Sequence, residues 1–261
     1  MEYCYKIAEW IKDYFQETGK TKAIVGISGG IDSAVVASLC VKALGKENVL
    51  GVIIPIESSI YDGLDAMKVI EKLGIDHIEV HGDSPFYKTW QKIIDSTIGL
   101  ARENKLIKNH KLVKGNVKAR IRMTTLYAIS EMTNGLVVGT TNKTEALIGY
   151  ATKYGDGGVD IEPIMDYYKT EVFEMARYLD VPVSIINKKP SAGLWDGQTD
   201  EDELGMSYAE IDMALKLIKG EPFYGVQKTQ SWSLFKETVA KVEKLIQTTE
   251  HKRNLPPYYK R

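Results

Sequence analysis

The chain is short of the residues that carry redox and structural-metal chemistry: its 261 positions include two cysteines, Cys4 and Cys40, and four histidines. The two thiols fit no zinc-ligand spacing and build no disulfide framework, so a reducing, cytoplasmic setting is expected. No apolar run approaches the roughly 18 residues of a membrane-spanning helix. Met1–Lys6 shows no basic region ahead of an apolar core, so no signal peptide is expected either. The formal net charge is −1, which does not support a broad nucleic-acid-binding surface. Repeats and low-complexity segments are absent as well. What remains is an ordinary globular composition, 44% hydrophobic and 26% charged, and a single domain over residues 1–261 is expected.

Charge is uneven along this near-neutral chain. Arg102 to Arg122 carries eight Lys or Arg against one acid, Glu103, whereas Asp196 to Glu203 has five acids and no base. His251 to Arg261 has four bases and no acid. Such runs are commonly solvated faces; the basic ones gain meaning only if an anion has to be held.

The hydrophobic pattern alternates between short apolar runs and helical periods. Tyr3, Ile7, Ile11, Tyr14 and Phe15 predict a helix over 3–18, ending near Gly19. Strands are expected at Lys22–Ile27, Val49–Ile54, Ile75–Val80 and Leu136–Gly139, and helices at Gly63–Leu73, Asn116–Thr133, Lys169–Leu179, Tyr208–Ile218 and Ser231–Thr249. Uninterrupted apolar strands between helices imply an α/β fold, doubly wound, with a mostly parallel sheet covered on both faces and extra helices at the two termini. Ligands of such sheets sit beyond the carboxyl ends of the strands, where Ser28, Pro55 and Thr140 fall. Pro190–Gly205 has glycines, acids and no hydrophobic period. It reads as a loop of about sixteen residues, a lid or a disordered stretch.

The sharpest motif is Ser28-Gly29-Gly30-Ile31-Asp32-Ser33, between the first strand and a helix that includes Ala34–Val41. A glycine turn into a helix aims several N–H groups, with the helix dipole, at one point suited to phosphate. The lysine of a Walker loop is missing. Two hydroxyls and Asp32 stand there instead, which points to a magnesium-bound pyrophosphate; the plain alternative is an ordinary strand-to-helix turn of small residues, which needs only one glycine and no aspartate. Glu145, one turn into the helix after Thr140, reads either as a second magnesium ligand or as a helix-start acid. Thr152–Asp160, with three glycines, two acids and a lysine, makes a poor core element and a good binding loop. Lys169, at the mouth of its helix, reads as a phosphate contact or as a surface salt-bridging lysine.

At this point the chain resembles the ammonia-dependent NAD synthetases, members of the ATP pyrophosphatase superfamily with its adenine nucleotide alpha hydrolase-like fold. The resemblance covers Gly26–Ser33, Lys118–Met123, Val138-Gly139-Thr140 with Glu145, Thr152–Gly158, Lys189–Leu194, the acidic Gly197–Gly205 segment and Glu250–Arg253. It implies a ligase that amidates deamido-NAD with ammonia and ATP, releasing AMP and pyrophosphate. On matching positions it implies an ATP site from Gly26, Ile27, Ser28, Gly29, Gly30, Ile31, Asp32, Ser33, Thr140, Lys169 and Ser191. Asp32 and Glu145 match the magnesium ligands, and with Lys169 they form the catalytic set. Arg120, Lys153, Asp160, His251 and Lys252 match contacts to deamido-NAD. A homodimer, small-molecule partners only and a lid at Ser191–Gly205 are implied too. One departure is visible: many relatives carry a basic residue after Pro55, and Ile56–Ile60 has none. The rival readings are another adenylating enzyme of the superfamily, such as a tRNA-modifying thiolase or lysidine synthetase, and a non-catalytic nucleotide sensor.

Overall fold

Apolar residues on both sides of each inner strand dictate two helical layers. The computed structural model describes residues 1–80, 85–103, 110–195, 197–222 and 232–259. In chain order the elements are α1 (Glu2–Thr18), β1 (Lys22–Gly26), α2 (Ile31–Leu44), β2 (Val49–Ile53), α3 (Ile60–Leu73), β3 (Asp76–Glu79), α4 (Pro85–Glu103) and α5 (His110–Met132). They continue with β4 (Gly135–Val138), α6 (Lys143–Ile148), α7 (Lys169–Tyr178), α8 (Val183–Ile186), α9 (Asp200–Leu204), α10 (Tyr208–Lys219) and α11 (Trp232–Thr248).

The four strands are all parallel, in the order β3-β2-β1-β4. Alternation along β1 divides its side chains between two cores. Ala23 and Val25 join α1, α2, α3 and α7 in the larger cluster, through residues such as Ile11, Val36, Val69 and Met175. Ile24 turns to the opposite face, where Ile129 of α5 closes a smaller cluster with Leu50 and Val52. A third cluster packs α10 and α11 on α6, with Ile148, Ile211, Leu215 and Val242 fully buried. The doubly wound parallel sheet expected from the pattern is thus present, with helices on both faces.

The register decides where function can gather. Val25 pairs with Gly51 on one side and Val138 on the other, so the turns after β1, β2 and β4 emerge together. The segment leading out of the Thr152–Gly158 loop then lies parallel to β4, with Asp160 N–H donating to Val137 O and Gly139 N–H to Ile161 O.

Several boundaries differ from the expected ones for local reasons. Helix α3 begins at Ile60, not Gly63, because the Ser59 hydroxyl accepts the Tyr61 amide as an N-cap. The Pro190–Gly205 stretch is not a plain loop: Thr199 caps α9, a helix of five residues. Helix α4 went unanticipated. Ser231, Asp196, 104–109 and 260–261, which belong to the expected last helix and to the charged runs, lie outside the described residues.

Candidate active site

The turn after β1 is shaped by one backbone necessity. Gly29 has φ +76°, and a Cβ on it would lie 2.4 Å from Asp62 O, so only glycine fits there. Around it the serines close on one another. Ser28 Oγ accepts the Gly30 amide (3.2 Å), and Ser33 Oγ donates to Gly30 O (3.0 Å) while accepting the Ser28 amide (3.3 Å). Gly30 occupies the cap position of α2, and no side chain caps that helix. Its first amides therefore face the turn, in the arrangement that binds anions.

Three charged residues from three different elements meet beside this turn. Lys169 Nζ, on the first residue of α7, lies 2.5 Å from Asp32 Oδ2 and 3.4 Å from Glu145 Oε1. Lys169 is only 2% exposed, so the reading of a surface salt-bridging lysine is wrong. Burial alone would lower the lysine pKa; the charges of Asp32 and Glu145 outweigh it and hold the ammonium protonated. Glu145 responds differently. Burial, with Asp32 adding to it against the opposing Lys169, pushes its carboxyl up to about 8. Glu145 is also a helix-start acid, as its position suggested: it forms a capping box with Asn142, whose Oδ1 accepts the Glu145 amide (3.0 Å). Asn142, fully buried, spends its Nδ2 on Asp32 Oδ1 (3.0 Å). The two readings of Glu145 are thus one arrangement.

Asp32 and Glu145 present hard oxygen donors on one side of a phosphate-shaped turn, which fits magnesium. Among the described residues no group of three or more His, Cys, Asp or Glu could hold a metal. Two carboxylates suffice for this ion, which takes most of its shell from water and phosphate.

Of the other expected contacts, Arg120, Lys153 and His251 are joined through backbone carbonyls. Arg120 on α5 donates from Nε (3.2 Å) and Nη2 (3.0 Å) to Lys153 O, and Lys153 Nζ donates to His251 O (2.6 Å). Lys252 Nζ holds Gly149 O (2.8 Å) and Ala151 O (2.7 Å). Asp160 accepts the Val137 amide (2.7 Å) and the Tyr127 hydroxyl (3.2 Å); burial and that aspartate push the Tyr127 phenol up to about 12. Thr140 follows β4 at the strand edge, half-buried. Ser191 is exposed, and its Oγ accepts the Gly193 amide (3.1 Å).

A sequence model of the family described as NAD synthase matches residues 3–256. The chain belongs to the NAD synthase family. It is 44% identical to the NH(3)-dependent NAD(+) synthetase of Methanosarcina acetivorans, over 97% of this chain and 95% of that protein. It is 46% identical to the enzyme of the same name from Methanococcoides burtonii, over 96% and 91%. Among solved structures it is similar to an NMN synthetase from Francisella tularensis, with TM-score 0.81 and 36% identity over 99% of this chain and 97% of that one. An NH3-dependent NAD synthetase from Campylobacter jejuni gives TM-score 0.75 and 29% identity over 99% and 98%. As a member of this family the chain is a carbon–nitrogen ligase that uses ATP as co-substrate. Neither rival reading finds support among these relatives.

Site residues beyond the expected set come to light in this family context. Asn142 was legible: an Asn three residues before a Glu is a capping-box spacing. Lys118 and Arg122 were less so. Lys118 Nζ pairs with Glu57 (2.7 Å) and donates to Leu194 O (2.9 Å). Arg122 donates to Ile54 O (3.2 Å) and to Ser58 Oγ (3.1 Å). Basic side chains therefore do reach the turn after Pro55, but from α5 across the sheet edge, where no local pattern announces them. Asp200 is the fourth. It is 3% exposed and accepts Tyr150 OH, Tyr208 OH and the Ala192 amide, anchoring the 191–205 segment.

Proposed function

We propose that this chain amidates deamido-NAD with ammonia and ATP, giving NAD, AMP and pyrophosphate, and that the residues around Lys169 carry the first half of the reaction. The observation that supports this is a buried ammonium held between Asp32 and Glu145 beside an uncapped glycine turn, in a chain 40–46% identical to ammonia-dependent NAD synthetases. A carboxylate is a poor electrophile, so one of its oxygens must first be made a leaving group. The nicotinate oxygen forms a bond to the α-phosphorus of ATP as the bond to pyrophosphate breaks. Ammonia then adds to the acyl carbon, AMP departs and the nitrogen gives up a proton.

The Ser28–Ile31 amides and the Ser28 and Ser33 hydroxyls would hold the phosphates, and Lys169, kept protonated by Asp32, would offset charge on the leaving pyrophosphate. Thr140 and Ser191 would contact ATP from neighbouring turns. Asp32 and Glu145 would hold magnesium, which supplies charge neutralisation at the phosphates. Arg120, Lys153, Asp160, His251 and Lys252 would meet the dinucleotide, whose own pyrophosphate gives the basic segments their use. The 191–205 segment would act as the lid that keeps water from the adenylate. We read residues 1–261 as one domain, working as a homodimer in the cytoplasm. The buried free thiols Cys4 and Cys40 agree with a reducing compartment, and no described helix is long and apolar enough to cross a membrane.

Purified protein given deamido-NAD, ATP and magnesium should form NAD and AMP with ammonium, and far less with glutamine. No NAD with ammonium would overturn the proposal. The likeness to an NMN synthetase favours a second reading, with nicotinate mononucleotide as acceptor. A higher kcat/KM for the mononucleotide than for deamido-NAD would decide for it.

A further inference from the structure

Helix α10 sends a carboxylate into the core that no step above uses. Asp212 is 2% exposed. Its Oδ1 accepts the Thr144 hydroxyl, and its Oδ2 accepts the Thr170 amide at 2.9 Å. Thr144 Oγ1 in turn accepts the Lys169 amide at 2.9 Å. These are the first two amides of α7, groups that no carbonyl of the helix itself can satisfy. One carboxylate and one hydroxyl therefore complete the start of α7 and tie it to the first turn of α6. Thr144 directly precedes Glu145, and Thr170 directly follows Lys169. A second strap runs the same way, with the Lys143 amide donating to Tyr167 O at 2.8 Å.

Docking of α10 does not need this carboxylate. Ile211, Ala214 and Leu215 already bury against Ile148 and Tyr168, and an uncharged residue would avoid the cost of burying an ionisable group. What the aspartate adds is direction, since its two oxygens fix two helix starts relative to one another.

We propose that Asp212 is a positioning residue of the ATP site, acting with the Thr144 hydroxyl to set the spacing between Glu145 and Lys169. This rests on the function proposed above. The test compares Thr144→Val, which removes the hydroxyl at nearly constant shape, with Thr144→Ser, which keeps it, and adds Asp212→Asn and the Asp212→Asn/Thr144→Val double variant. Thr144→Val and Asp212→Asn should each lower kcat about 10- to 100-fold, with KM for deamido-NAD within about twofold. Thr144→Ser should retain most of the wild-type rate. The double variant should lose little more than the worse single one, because both act on one link. Amide exchange at Lys169 and Thr170 should speed up in Thr144→Val but not in Thr144→Ser. Wild-type turnover in folded Thr144→Val, or losses that multiply in the double variant, would overturn the inference. If Asp212→Asn does not fold, the Thr144 pair decides alone. The wild-type protein in the same assay separates the two claims: no NAD from it overturns the function, and unchanged exchange in Thr144→Val overturns the link.

Discussion

At the phosphate turn, charge is met by charge: Lys169 is 2% exposed and shares one ammonium between Asp32 and Glu145, with Asn142 bracing both acids. Around Arg120 and Lys153, by contrast, cations meet backbone. Arg120 holds Lys153 O, Lys153 holds His251 O, and Lys252 holds Gly149 O and Ala151 O, with Arg120 and His251 exposed. Buried ion pairs lose much when one partner goes, because the remaining charge stays in a poor solvent. Exposed or half-buried cations on carbonyls lose less, and their donors are redirected at smaller cost when an anion arrives. On the function proposed above, the first region would be built before ligands bind, and the second would keep its positive charge available for the substrate.

Substitutions should split along that line. The largest effect belongs to Asp32→Ala, expected to lower kcat about 1,000-fold or more while the protein still folds, with a melting temperature about 5–15 °C lower as Lys169 loses its nearest counter-charge. Near-normal turnover would remove Asp32 from the mechanism. Next is Lys169→Met, which leaves the half-buried Asp32 and Glu145 facing each other without a cation; kcat should fall at least about 100-fold, and an unchanged rate would place the site elsewhere. Arg120→Ala and Lys153→Ala should behave in the opposite sense. Steady-state kinetics should show KM for deamido-NAD rising about 10- to 50-fold, with KM for ATP steady and kcat within a fewfold. A fall in kcat alone would erase the distinction between the two regions.

The smallest effect is a pH dependence. Glu145 has its carboxyl raised from 4.5 to about 8 in the fold, so between these values the native chain binds more protons than the unfolded one. Its contribution to stability is present in full below 4.5 and is lost as pH rises through about 8. Magnesium held by Glu145, as proposed, would need the ionised form and compete with that proton. Thermal melts should therefore show a magnesium-induced rise that is larger at about pH 8.5 than at about pH 6.5, by a few degrees. An equal rise at both values would separate Glu145 from the metal.

Local chemistry explains why much of this was readable. Glycines at 29 and 30, flanked by hydroxyls and followed by Asp32, carry their geometry within six residues, and the apolar runs at Ala23–Val25 and Leu136–Val138 can only be buried strands. Helix α9, inside the Pro190–Gly205 stretch, escapes the local pattern because what fixes it lies elsewhere. Asp200 is fixed by Tyr150 and Tyr208, and Leu194 packs where a Cβ on Gly115 would come within 2.9 Å. Arg122 and Asp212 were invisible for the same reason, since each acts on a segment distant along the chain.

By itself, then, the amino-acid order determined the strands, the phosphate turn and the identity of the charged groups, because backbone sterics and hydrophobic period are properties of neighbours in sequence. Only the tertiary structure decided that Lys169 is buried between Asp32 and Glu145 and not spent on the surface. That choice depends on strand register, which brings the turns after β1 and β4 together, and on α10, whose Asp212 holds the start of α7 against α6. Separation along the chain hides such contacts, and packing creates them.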